Sequence, residues 1–63
     1  MGAFQGRPDD LLIRAAAEGH VRNVKQLLRR ASVNVTDEEG RTALHWAARN
    51  AHPSVVQLLL QAK

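Results

Sequence analysis

Thr42 and His45 lie three residues apart, and a hydroxyl beside an imidazole is the pair from which a nucleophile and its general base are made. Such a pair also needs a group to orient the imidazole, and no acid stands at a position that would hold His45 as a base. His20, His45 and His52 are the candidate metal ligands, but the chain has no cysteine to join them. His20 and His52 also recur 32 residues apart at equivalent turn positions, which suits an architectural role better than coordination. The run Asp37-Glu38-Glu39 carries oxygen ligands without the spacing of a calcium loop. These residues therefore predict no catalytic group, no cofactor and no metal site.

The chain that must position them has 63 residues, room for one small domain. A domain of that size buries only about 60% of the surface its unfolded chain exposes. Hydrophobic residues make up 44%, and the only aromatics are Phe4 and Trp46, so the core must be aliphatic and rich in alanine. Net charge is +3, mainly from Arg22, Lys25, Arg29 and Arg30. No apolar run is long enough to span a membrane. The N-terminus lacks the pattern of a signal peptide, and Gly6 stands where a myristoylation signal needs Ser or Thr. The expected compartment is the cytoplasm or nucleus.

Residues 1–8 hold two glycines and a proline without periodicity and read as a flexible lead-in, with Phe4 as an alternative staple onto the first helix. Asp9 and Asp10 precede an apolar stripe of Leu11, Leu12, Ala15 and Ala16, as helix caps should. Gly19 ends that helix. A second helix is expected from about Val21 to Arg30, with Val21, Val24, Leu27 and Leu28 on one face and Arg22, Lys25 and Arg29 on the other. An extended stretch and a turn at Gly40 follow. Thr42 caps a third helix, roughly Ala43 to Asn50, with Leu44, Ala47 and Ala48 on its apolar side. Pro53 opens a fourth, whose apolar arc is Val55, Val56, Leu58, Leu59 and Leu60.

Sliding the chain by 32 residues superposes Leu12 on Leu44, Ala15 on Ala47, Ala16 on Ala48, His20 on His52, Val24 on Val56, Leu27 on Leu59 and Leu28 on Leu60. Each unit is helix, tight turn, helix. Each has an apolar face that it cannot bury alone, so stacking two units is the physical solution. The segment DEEGRTALHWAARNAHPSVVQLLLQA resembles an ankyrin repeat, matching at Asp37, Gly40, Thr42, Leu44, His45, Ala47, Ala48, His52, Val55, Val56, Leu58, Leu59 and Leu60. The first unit resembles a capping repeat, with Asp10 where Thr42 stands and Ile13 where His45 stands. The resemblance covers about 10–63, with repeat 1 at about 9–35 and repeat 2 at about 36–63. Ala43 departs from the usual proline. Ala51 departs from the glycine between helices, so Ala51 or Asn50 must take the strained turn conformation.

The resemblance implies an all-α stack of two helix-turn-helix repeats with one β-hairpin-like finger loop, and binding of another protein rather than catalysis. Thr42 and His45 would form a hydrogen-bonded brace. The implied partner surface is Thr36, Glu38, Glu39 and Arg41 on the finger, with Arg49 and Asn50 on the inner helix of repeat 2 and Ala17 and Glu18 in repeat 1. Side chains at these positions are expected to face outward, free of packing. Trp46 can either pack or contact the partner. Asn34 lies where asparaginyl hydroxylation is known for ankyrin-like repeats, although Ser32 departs from the acidic residue usual before it.

The rival reading is a small basic helix-turn-helix domain that reads DNA, from the turn at Gly19 and the basic second helix. No Asn, Gln or Arg cluster stands at a helix N-terminus to read bases, so a solvated outer helix is preferred. Two repeats give one full interface, where arrays usually need about three units. Marginal stability is therefore expected, with a further repeat missing on the C-terminal side or self-association through that face.

Overall fold

The computed structural model describes residues 8–62. The expectations for residues 1–7, including the Phe4 staple, lie outside the described residues. Four helices follow in order: α1 (Pro8–Glu18), α2 (Val21–Leu27), α3 (Ala43–Arg49) and α4 (Pro53–Gln61). α1 packs on α2 and α3 on α4, giving the two helix pairs. The pairs stack in parallel layers, α1 against α3 and, less extensively, α2 against α4. The finger between the pairs contains one isolated antiparallel bridge, Thr36 to Thr42, and no strand is formed among the described residues.

Local chemistry explains each helix end. α1 begins at Pro8, which needs no N–H partner in a first turn. Asp9 and Asp10 consequently lie inside that turn, where their charge favours the helix dipole, and not at the cap position expected for them. Gly19 closes α1 at φ +78°, with its amide bonded to Ala16 O at 3.2 Å and the His20 amide to Ala15 O at 2.9 Å. Ala51 repeats this closure at φ 59°, with its amide bonded to Ala48 O at 3.2 Å and the His52 amide to Ala47 O at 2.9 Å. The strained residue is thus Ala51, while Asn50 keeps φ −93°. The bonding pattern fixes which residue must turn left-handed, and for an alanine that costs about 1–2 kcal/mol. α2 is shorter than expected: it stops at Leu27, and Arg29 and Arg30 lie in the turn after it.

The centre of the core is aliphatic and small. Leu12, Ala16, Val24, Ala43, Ala47, Val55 and Leu59 are fully buried, and Ile13, Ala15 and Ala31 complete the cluster. Alanines at 16, 43 and 47 let the inner helices approach closely. Two expectations need correction. Leu11 is an exposed residue of α1, with Ile13 buried in its stead. Ala48 is exposed and Leu44 only half-buried, although both lie on the apolar side of α3. Among the described residues no helix pair lies over them, whereas repeat 2 lies over their repeat-1 equivalents Ala16 and Leu12.

Candidate partner-binding surface

The finger is organised by one carboxylate. Asp37 Oδ1 accepts the backbone amides of Glu39 at 2.8 Å and Arg41 at 2.9 Å, and Oδ2 accepts the indole N–H of Trp46 at 2.9 Å. Backbone bonds from Asp37 N to Arg41 O (2.8 Å) and from Gly40 N to Asp37 O (3.0 Å) close the loop, with Gly40 at φ +82°. The Arg41 amide, then the Trp46 indole, with the Glu39 amide and the Arg41 charge adding less, hold the Asp37 carboxyl below its ordinary value. Partial burial opposes them. An aspartate at this position is therefore a clamp, which the sequence pattern marks as a match without showing its reach to Trp46.

Trp46 is half-buried against the core cluster. The Arg41 and Arg49 guanidinium groups lie 5.2 and 5.7 Å from its ring centroid, within cation–π range. Arg41 also pairs with Glu39 at 2.8 Å. Trp46 thus joins the finger to the inner helix while keeping part of its surface open.

The expected surface residues do not all face solvent freely. Thr36, Glu38, Glu39, Arg49, Asn50 and Glu18 are exposed, and Arg41 and Ala17 are half-buried. Asn50 is committed to the fold: its Nδ2 donates to the Ala17 carbonyl at 2.9 Å across the repeat interface. His52 Nε2 donates to the same carbonyl at 3.1 Å, which makes Nε2 the protonated ring nitrogen, since a carbonyl only accepts. Glu18 bonds Arg14 at 3.3 Å and His20 at 3.1 Å. The packing duty of Asn50 is the correction here; a polar residue after a helix gave no sign of a partner 33 residues away.

The brace expected of Thr42 and His45 is half present. Thr42 Oγ1 accepts the backbone amide of His45 at 3.3 Å, so the bond is a helix cap, and the exposed His45 imidazole is not part of it. The Thr42 hydroxyl is thus bonded to the His45 backbone and not to its imidazole. The described residues contain no group of three or more His, Asp or Glu side chains placed to hold a metal, and no helix long and apolar enough to cross a membrane. Asn34 is exposed, and its amide bonds Ser32 Oγ at 3.1 Å.

A groove of roughly 440 Å³ runs between α1 and the finger, lined by Asp10, Ile13, Arg14, Ala17, Asp37, Glu38, Glu39 and Trp46. Four of these eight are acidic, in a chain of net charge +3. Arg22, Lys25, Arg29 and Arg30 are exposed on α2 and the turn after it, on the outer layer. Arg14 lines the same groove and Arg41 and Arg49 stand over Trp46, so basic side chains occur on both faces.

The sequence pattern of the family described as "Ankyrin repeats (many copies)" matches residues 12–60. Among curated proteins, Palmitoyltransferase akr1 of Schizosaccharomyces pombe is 44% identical over 52 residues, which cover 79% of this chain and 8% of that protein. Cortactin-binding protein 2 of Dasypus novemcinctus is 45% identical over 60 residues, 92% of this chain and 4% of its own length. The human NAD-capped RNA hydrolase NUDT12 is 45% identical over 49 residues, 75% of this chain and 11% of the hydrolase. The chain thus spans between 4% and 11% of these three relatives, whose names describe three unrelated activities.

Proposed function

This chain belongs to the ankyrin-repeat family, whose repeats are non-catalytic modules of protein–protein interaction, and on that premise we propose that it binds a partner protein through the finger and the inner helices as part of a longer array. The observation that carries the reading is the Asp37 clamp, with two backbone amides and the Trp46 indole on one carboxylate. It pre-orders the finger and fixes it to the inner helix. A surface ordered before binding loses less entropy on association. Thr36, Glu38, Glu39, Arg41, Trp46 and Arg49 are its contact residues, with Ala17 and Glu18 extending it onto α1. Asn50 serves the fold first.

The relatives support a module and not an activity. What they share with this chain is a segment of 49 to 60 residues, in proteins named for different activities. Continuation of the array is supported by the exposure of Ala48 and Leu60, whose repeat-1 equivalents Ala16 and Leu28 are buried and half-buried. Exposed Asn34 remains a proposed hydroxylation site, read by a mass gain of one oxygen.

Affinity capture with mass spectrometry tests the reading, comparing wild type with the double variant Glu39→Arg/Arg49→Glu. Partners retained by wild type and lost by a folded double variant support it. Identical partner sets sink it. The rival reading is binding of duplex DNA by the basic outer face. Duplex affinity that falls steeply with salt would revive it.

A further inference from the structure

Repeat 2 seats on repeat 1 through a specific fit. The His52 imidazole lies over Gly19, and a Cβ placed on Gly19 would fall 2.7 Å from His52 Cε1 and Nδ1 and 3.1 Å from Cγ. The absence of a side chain at 19 is what lets His52 reach the Ala17 carbonyl. The equivalent position in repeat 2 is Ala51. It has the same left-handed backbone, φ 59° against 78°, and the same pair of closing hydrogen bonds, but it carries the Cβ that Gly19 lacks.

The face beyond Ala51 continues the interface between the two repeats. Leu12 and Ala16 are covered by repeat 2, while their equivalents Leu44 and Ala48 are half-buried and exposed, and Leu60 is 51% exposed. A helix pair arriving in the same register would bring whatever it carries in place of His52 onto the Ala51 methyl.

We infer that Ala51 selects the unit that stacks on this face: a helix pair with a small side chain, not a histidine, at the position His52 holds in repeat 2. The inference rests on the reading of the chain as part of a longer array. A histidine there meets the methyl at the distance seen when a Cβ is placed on Gly19, and must give up its bond to the carbonyl of Arg49, the equivalent of Ala17. A small residue leaves the methyl room. The same contact disfavours head-to-tail stacking of a second copy, which would bring His20 to that place. It narrows the self-association expected from the open face.

The test extends the full chain by a further copy of residues 32–63 joined after Lys63. The histidine of the appended copy is kept or replaced by serine, each with Ala51 and with Ala51→Gly, and thermal midpoints are measured for the four chains. The gain from serine over histidine is expected to be larger with Ala51 than with Ala51→Gly, by about 4 °C or more, the shift that about 1 kcal/mol produces in a domain of this size. Effects of the glycine or the serine on their own cancel in this difference. Equal gains in both backgrounds overturn the selection and leave the array reading standing. Four midpoints no higher than that of the 63-residue chain overturn both.

Discussion

The indole N–H of Trp46 donates to Asp37 Oδ2 at 2.9 Å, across nine residues and from inner helix to finger. The bond gives the finger its orientation relative to α3. Asp37→Ala is expected to release two loop amides and the indole together, red-shifting Trp46 fluorescence and lowering the melting temperature. Trp46→Phe removes only the indole donor, so it should loosen the finger less. An unchanged emission spectrum in Asp37→Ala would show that the clamp does not hold the ring.

The same carboxylate sets a pH dependence. The folded-state pKa of Asp37 is lowered, first by the Arg41 amide and then by the Trp46 indole. A lowered folded value means that its contribution to stability is complete above the unfolded value and is lost as pH falls through the folded one. The window therefore extends below the ordinary carboxylate range. Urea midpoints of wild type and Asp37→Asn should differ near neutral pH and converge as the solution is acidified through that window. A gap that stays constant into acid would assign the difference to something other than this titration.

Asn50 and His52 share one acceptor, the Ala17 carbonyl. Either Asn50→Ala or His52→Ala leaves that carbonyl one donor, and each is expected to cost about 0.5–1.5 kcal/mol. Together they orphan it, so the double variant should lose more than the sum of the two. Chemical denaturation of the four members of the cycle measures the excess, and strict additivity would contradict a shared role.

The two left-handed helix ends should respond asymmetrically. Ala51→Gly relieves a strain of about 1–2 kcal/mol but makes the unfolded chain more flexible by about 0.4–1 kcal/mol, so a gain between zero and about 1.6 kcal/mol is expected. Gly19→Ala acquires the strain and also collides with His52 at 2.7 Å, so its loss should exceed that gain. Denaturant midpoints decide the comparison, and a Gly19→Ala chain as stable as wild type would mean that His52 moves aside freely.

Neighbouring leucines in α4 should separate core from open face. Leu59 is fully buried, and Leu59→Ala is expected to cost about 2–5 kcal/mol, enough to unfold a small two-repeat chain. Leu60 is 51% exposed, and Leu60→Ala should be close to neutral in this chain. Circular dichroism melts distinguish them.

Much of this was legible in order along the chain. The 32-residue self-match from Leu12/Leu44 to Leu28/Leu60 determined two helix pairs, and Gly19, Thr42 and Pro53 marked where helices end or begin. Local rules suffice for these features, because caps, turns and helical periodicity depend on neighbours within a few residues. Tertiary structure decided what distance in sequence hides. It gave Asp37 its hold on Trp46, made the exposed Asn50 half of the clasp on Ala17, and placed the left-handed strain on Ala51. It also separated Ala16 from Ala48, which are the same residue in the pattern, one covered and one exposed. A periodic sequence assigns equivalent residues equal roles, and only the stacking of one pair on the other determines which of them is buried.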